Sequence, residues 1–79
     1  MNFATPAGAD YEYLPPHSTL VRWLAADGEY VLVDQPICEI ETDETSVDFP
    51  AWANGYLRHN AFPGDIVKIE EPFAMIEVR

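Results

Sequence analysis

Two stretches of this chain repeat one pattern, "DGEYVLVDQPICEIE" (27–41) and "PGDIVKIEEPFAMIE" (63–77), and they decide the fold. They align without a gap, so that Gly28 falls on Gly64, Val31 on Val67, Pro36 on Pro72 and Ile40 on Ile76. Self-similarity of this kind is the signature of a molecule built from two copies of one structural unit.

Each copy consists of short segments in which apolar and polar residues alternate, as in half-buried β-strands. The predicted strands are "TLVRWL" (19–24), "YVLV" (30–33) and "ICEIE" (37–41) in the first copy, and "GYLRHN" (55–60), "IVKI" (66–69) and "FAMIE" (73–77) in the second. Extended backwards, the alignment places Val21 on Leu57. Gly28 and Gly64 are expected to supply the positive φ of a tight turn. Seven prolines and the absence of a sustained helical period argue against helices.

Neither copy could bury its apolar face alone. We therefore expect an all-β fold, a flattened barrel or sandwich of two antiparallel sheets related by a quasi-twofold axis. A chain of 79 residues has room for one such domain. Residues 1–17 are predicted to be an irregular lead-in with one edge strand, and residues 18–79 to form the domain.

The charge balance narrows the classes of partner. Fourteen acidic residues against four basic ones give a formal net charge of −10, which would repel nucleic acid and anionic membranes. No apolar run approaches the roughly 20 residues of a membrane span, and the N-terminus lacks the pattern of a signal peptide. The expectation is a cytoplasmic monomer, in which the single cysteine, Cys38, forms no internal disulfide.

The motifs "VRWL", "CEIETD", "TSVDFP", "ANG" and "PGDIV", spread between Thr19 and Val78, resemble the lipoyl domain of 2-oxo acid dehydrogenase acyltransferase subunits. The succinyltransferase type is the nearest. The resemblance implies a barrel-sandwich hybrid whose cofactor, lipoate, is joined as a swinging arm to a lysine that follows "ETD" at a hairpin tip. Here that position is Glu44, and the glycines that frame the lysine in the family are retained as Gly28 and Gly55.

The substitution at Glu44 removes the chemistry of attachment. Lipoylation forms an amide with a nucleophilic amine, and a carboxylate could give only a labile anhydride. The same reasoning excludes biotin. The resemblance therefore marks Thr42, Asp43, Glu44 and Thr45 as the cofactor position, with no cofactor expected. Lys68 is the only lysine in the chain, and it matches Leu32 inside a predicted strand, so it is interpreted as a solvated strand residue.

These observations predict a non-catalytic, lipoyl-like module for protein interaction or regulation. The expected partners are components of a 2-oxo acid dehydrogenase complex or a lipoate ligase. The alternative is an ordinary lipoyl carrier domain, shuttling acyl groups, whose acceptor lysine has been substituted. An independent hydrolase or metalloenzyme is the third hypothesis, although no catalytic or metal-binding residue is predicted.

Several residues have a structural interpretation beside the functional one. Asp43 and Glu44 form a solvated β-turn, an acidic knob for a basic partner, or a charge introduced to block modification. Glu39 and Glu41 share one face of their strand, which favours an outer face over a divalent-cation site. Cys38 matches Ala74 and is predicted to be buried.

The remaining candidates are histidines and aromatic residues. His17 and His59 lack a nearby nucleophile, and His59 is placed on a strand edge, so neither is predicted to be a general base. The aromatic residues are assigned to core and edge packing, and Trp52 is singled out as a possible exposed contact. They are Trp23, Phe49, Trp52, Tyr56, Phe62 and Phe73.

Overall fold

The structure, a computed structural model, describes residues 2–4, 17–67 and 72–78. Its strands are β1 (Asn2–Ala4), β2 (Thr19–Trp23), β3 (Tyr30–Val31), β4 (Pro36–Glu41), β5 (Ser46–Pro50), β6 (Gly55–His59) and β7 (Ala74–Val78). They form two sheets with the strand orders β1-β7-β6-β3 and β2-β4-β5, and every strand pair is antiparallel. The prediction of an all-β fold of two antiparallel sheets is confirmed.

β1 lies at the edge of the four-stranded sheet, where it pairs with β7. Most of the lead-in and Lys68 fall outside the described residues, so the proposed boundary at residue 18 and the role of Lys68 stay predictions. The described residues contain no helix long and apolar enough to cross a membrane.

One apolar core draws on most of the strands and on the loops between them. Apolar side chains on the inner faces of the strands point toward it. Its buried members are Leu20, Ala25, Val31, Ile37, Cys38, Ile40, Phe49, Ala51, Leu57, Val67, Phe73, Ala74 and Ile76. Cys38 and its repeat mate Ala74 are both fully buried, which confirms the prediction of a structural cysteine.

The quasi-twofold relation is visible in one pair of side chains. Trp23 and His59 occupy equivalent positions in the two copies and stack on each other, with ring centroids 3.7 Å apart and ring planes 6° from parallel. Their hydrogen bonds are also equivalent, because Trp23 Nε1 donates to the carbonyl of Ala61 at 3.2 Å and His59 Nε2 lies 2.9 Å from the carbonyl of Ala25. A carbonyl can only accept, so Nε2 carries the proton. The pseudo-axis therefore passes close to this stack.

The repeat alignment is wrong by one residue at the start of the first copy. A β-bulge in β2 shifts the register between Leu20 and Arg22, and Leu20 rather than Val21 takes the place of Leu57. The Leu20 N–H donates to the Asp65 carbonyl at 2.9 Å, as the Leu57 N–H donates to the Glu29 carbonyl at 2.8 Å. The extra residue in the bulge is what an alignment without a gap could not show.

The predicted strand 30–33 is also too long. β3 ends at Val31 because the chain turns at once: the Leu32 N–H donates to the Gln35 side chain, and Asp34 adopts a positive φ of 71°. In the second copy, Ile66 forms an isolated bridge to Thr19. The two turn glycines behave as predicted, with φ of 87° at Gly28 and 96° at Gly64.

Three assignments of ring side chains need correction. Phe62 is 78% exposed, because it lies in the turn of Ala61–Asp65 rather than on a strand. Trp52 is half-buried, stands edge-on to Phe49 and packs against the core, so it is not an exposed contact. His59 ends β6, which lies between β7 and β3 and is not an edge strand.

Candidate functional site

The tip of the β4–β5 hairpin is a two-residue turn held by a threonine. The Thr42 N–H donates to the Thr45 carbonyl at 2.7 Å, and the Thr42 hydroxyl donates to the same carbonyl at 2.8 Å. The hydroxyl oxygen also accepts the N–H groups of Glu44 at 3.4 Å and Thr45 at 3.2 Å. Asp43 and Glu44 therefore lie at the apex of a turn whose backbone is held by the hydrogen bonds of Thr42.

The turn makes no demand on the side chain at its apex. Among the described non-glycine residues, positive φ occurs at His17 and Asp34, so Asp43 and Glu44 have ordinary backbone conformations open to any L-residue. Both side chains are exposed. Glu44 is thus accessible to solvent at the apex of the hairpin.

The groups at the tip are carboxylates and hydroxyls. Within the described residues the ion pairs join Arg22 to Glu39 and Arg58 to Glu77, and neither involves the tip. Asp43 and Glu44 keep their carboxylates in water, where they can accept hydrogen bonds and attract positive charge.

The outer face of the three-stranded sheet continues this acidic character. Arg22, Glu39 and Asp48 lie side by side across β2, β4 and β5, and Arg22 Nε donates to Glu39 Oε1 at 2.6 Å. The prediction that Glu39 points to an outer face is confirmed by its side-chain exposure of 19% and this pairing. In the described part of the chain, no group of three or more His, Cys, Asp or Glu side chains has the arrangement of a metal site.

The two framing glycines lie in the other half of the barrel. Gly28 precedes β3 and its N–H donates to the Leu57 carbonyl at 2.7 Å. Gly55 begins β6 opposite Val31, where a Cβ would lie 2.3 Å from the carbonyl oxygen of Glu77. Their contacts are with β3, β6 and β7, so they shape the scaffold and not the tip itself.

Two features of the site region escaped sequence reasoning. The resemblance places Thr42 at the tip, but it does not predict that Thr42 closes the turn. The sequence feature that could have indicated this role is a threonine three residues before Thr45, the last residue of the turn. The repeat alignment places Glu77 on Glu41, which is exposed, yet Glu77 is 1% exposed. Arg58, at 3.0 Å from its carboxylate, is what allows a charge to be buried there.

One side chain on β4 has a shifted pKa. Burial raises the pKa of the Cys38 thiol from 9.0 to about 12, with a smaller contribution from the negative charge of Asp48. The thiol is therefore inert and structural, although it lies on β4 beneath the acidic face.

Comparison with known proteins places this geometry in a family. A family model of the biotin/lipoyl type, described as "Biotin-requiring enzyme", matches residues 13–76. The succinyltransferase component of the mitochondrial 2-oxoglutarate dehydrogenase complex of Homo sapiens is 54% identical over 37 residues, which is 47% of this chain and 8% of that protein. A probable succinyltransferase component from Schizosaccharomyces pombe is 35% identical over 60 residues, 75% of this chain and 13% of that protein.

A third relative is the lipoamide acyltransferase component of the mitochondrial branched-chain alpha-keto acid dehydrogenase complex of Arabidopsis thaliana, 29% identical over 62 residues, 75% of this chain and 12% of that protein. The chain thus spans 8 to 13% of the length of these relatives. Because the family match covers more than half of the chain, including the β4–β5 hairpin, the chain belongs to the biotin/lipoyl family.

Proposed function

We propose that this domain is a lipoyl-like module that acts through protein contacts and carries no lipoyl group. The observation that supports the proposal is the exposed Glu44 at the apex of a well-formed hairpin, in a chain that belongs to the biotin/lipoyl family. The domain has the fold of a lipoyl carrier domain and lacks the lysine nitrogen to which lipoate would be joined.

The residues at the tip do not fit a covalently bound lipoate or biotin. Both are joined through an amide, which needs an amine. The tip offers the hydroxyls of Thr42 and Thr45 and the carboxylates of Asp43 and Glu44, and the Thr42 hydroxyl is already hydrogen-bonded within the turn. A carboxylate is a poor nucleophile, and a mixed anhydride formed on it would be hydrolysed by water.

The role in protein contacts follows from what the hairpin presents instead. Glu39, Glu41, Asp43, Glu44 and Asp48 are its charged side chains, with no basic residue among positions 36–50. Arg22 neutralises one of these carboxylates. The names of the relatives describe components of 2-oxo acid dehydrogenase complexes, and we propose a partner of that class with a basic docking surface.

Intact mass tests the absence of modification. The wild-type chain, Glu44→Lys and Glu44→Gln are each co-expressed with a lipoate ligase and lipoic acid. We expect the wild type and Glu44→Gln to retain their encoded masses and Glu44→Lys to gain one lipoyl group. A lipoyl adduct on the wild type would overturn the proposal.

The Glu44→Lys variant also addresses the alternative, a carrier domain whose acceptor lysine was substituted. That alternative draws on the turn geometry, since Thr42 holds the backbone of Glu44 and Thr45 without help from the Glu44 side chain. Modification of the variant would show that the recognition surface for the ligase is intact. An unmodified variant would remove the alternative.

Affinity capture from the native cells tests the interaction role. We expect the wild-type domain to retain a dehydrogenase-complex component, and an Asp43→Lys/Glu44→Lys variant, with its tip charge reversed, to lose it. Equal retention by both proteins, or retention of nothing specific by the wild type, would contradict docking through the acidic tip.

A further inference from the structure

Within the described residues, no strand pairs with the outer edge of β5. The sheet order β2-β4-β5 gives β5 a single neighbour among the described strands. A strand in that position presents a row of backbone N–H and C=O groups to solvent, which is a template for pairing with another chain.

The hairpin register shows which groups face outward. The bond from Thr42 N–H to the Thr45 carbonyl makes this a hydrogen-bonded pair, and such pairs alternate with non-hydrogen-bonded pairs along an antiparallel ladder. Val47, opposite Ile40, is then bonded to β4. Ser46 and Asp48 belong to non-hydrogen-bonded pairs, so their N–H and C=O groups point away from β4.

The extent of this open edge is limited at both ends. The Thr45 hydroxyl reaches the Ser46 carbonyl at 3.4 Å, a long contact that a partner amide can replace. At the other end Pro50 has no N–H, which stops the edge from propagating. Ser46–Asp48 is therefore a short pairing site rather than a long, aggregation-prone edge.

The side chains beside this edge define the chemistry of an occupant. Val47 lies on the inner face with its partner Ile40 but is 39% exposed, so an apolar side chain could cover it. Asp48 lies on the outer face opposite Glu39, whose carboxylate is taken by Arg22. No ion pair within the described residues involves Asp48, and a basic side chain is the complement it lacks.

We infer that the edge Ser46–Asp48 binds an extended protein segment that adds a strand to the β2–β4–β5 sheet, with lysine or arginine alternating with apolar residues. The inference rests on the proposed role in protein contacts and specifies the partner. Main-chain hydrogen bonds supply affinity in this mode of recognition, and alternate side chains supply specificity. A second copy of this chain is disfavoured, because each copy has a formal net charge of −10 and the two would repel each other.

The test is a titration of the isotope-labelled full chain with a synthetic peptide of alternating lysine and valine, blocked at both ends. We expect amide hydrogen exchange at Ser46 and Asp48 to slow by at least about tenfold on binding. Val47 is already bonded to β4 and serves as the internal control, with a smaller change.

The matched probe is the same peptide N-methylated at alternate residues, which keeps its charge and removes the donors on one edge. Of the two possible N-methylation patterns, one should bind about tenfold or more weakly than the unmodified peptide. If both bind equally well, or if exchange at Ser46 and Asp48 is unchanged at saturation, attraction is purely electrostatic and the inference is overturned. No binding at all also overturns it.

Variants of the protein provide the reciprocal test. Ser46→Pro removes an outward N–H without breaking a ladder bond, and Ser46→Ala keeps that N–H as the control. We expect the proline variant alone to lose peptide binding while its spectrum shows a folded sheet. Failure of these experiments would leave the mass and capture tests of the proposed function unaffected, because those depend on Asp43 and Glu44.

Discussion

At position 55 only a hydrogen atom fits. A Cβ there would lie 2.3 Å from the Glu77 carbonyl oxygen and 2.7 Å from Ile76 Cγ2, so the backbones of β6 and β7 would have to separate. We expect Gly55→Ala to lower the free energy of unfolding by about 3 kcal/mol, measured by urea denaturation.

Gly64 provides the contrast for this prediction. Its φ of 96° also favours glycine, but an added Cβ would meet nothing within 4 Å. Gly64→Ala should therefore cost only about 1 kcal/mol of backbone strain. Equal losses for the two variants would contradict the prediction, because they would show that a Cβ at position 55 is accommodated without separating β6 from β7.

The buried thiol of Cys38 gives the domain a defined weakness at alkaline pH. In the unfolded chain a thiol loses its proton near pH 9.0, whereas burial holds it in the folded state to about pH 12. The unfolded state therefore binds fewer protons between these values, and stability falls as pH rises through that window. We expect the loss attributable to Cys38 to be roughly 1 kcal/mol at pH 10.

Cys38→Ala is the control, since alanine occupies the equivalent position at Ala74 and does not titrate. Urea denaturation of both proteins at pH 7 and pH 10 isolates the contribution of the thiol from every other effect of pH, because the two proteins differ only at position 38. A wild type whose stability declines no more steeply than that of the variant would contradict a buried, protonated thiol.

At the scale of the element, the bulge in β2 decides which residue reaches the core. Leu20 is fully buried and Val21 is only half-buried. We expect Leu20→Ala to cost about 3 kcal/mol of unfolding free energy, as for other buried leucines, and Val21→Ala less than about 1 kcal/mol. The reverse order would support the register of the alignment without a gap, in which Val21 is the equivalent of Leu57.

Alternation predicted the elements well where a strand is long and buried on one side. β2, β4, β6 and β7 lie within one residue of their predicted bounds at each end, because one face of each packs on the core. The bulge and the early end of β3 were not predictable, since both depend on local backbone geometry. The positive φ of Asp34, for example, helps to end β3, and it cannot be recognised from the pattern of apolar residues.

The candidate site was predictable in position but not in construction. The family resemblance implies a hairpin tip at Asp43 and Glu44, and the structure places both residues at its apex. The closing role of the Thr42 hydroxyl depends on distances that sequence does not contain. Phe62 was misplaced for a related reason: an aromatic residue next to a turn can face solvent as readily as the core.

The whole molecule has far more acidic side chains than basic side chains that could neutralise them. Its fourteen acidic residues face four basic ones, and Arg22 and Arg58, the arginines of the described part, are each already paired with a glutamate. The remaining carboxylates repel one another in the compact state. This repulsion also opposes edge-to-edge pairing of two copies.

Salt should therefore stabilise this domain. Raising sodium chloride from 0.01 M to 0.15 M shortens the Debye length from about 30 Å to about 8 Å, which screens the repulsion between distant carboxylates. Screening also weakens the Arg22–Glu39 pair, but an exposed pair contributes only about 0–1 kcal/mol. We expect the midpoint of thermal unfolding to rise by about 4–8 °C, the shift that corresponds to about 1 kcal/mol in a domain of this size.

A Glu41→Gln/Asp48→Asn variant is the control, because it has two fewer hairpin charges and keeps the ion pairs of the described residues. It should start from a higher midpoint of thermal unfolding and gain less from salt. A midpoint that falls as salt is added would mean that the Arg22–Glu39 and Arg58–Glu77 ion pairs outweigh the repulsion. The hairpin could then not be described as an acidic surface that attracts a basic partner.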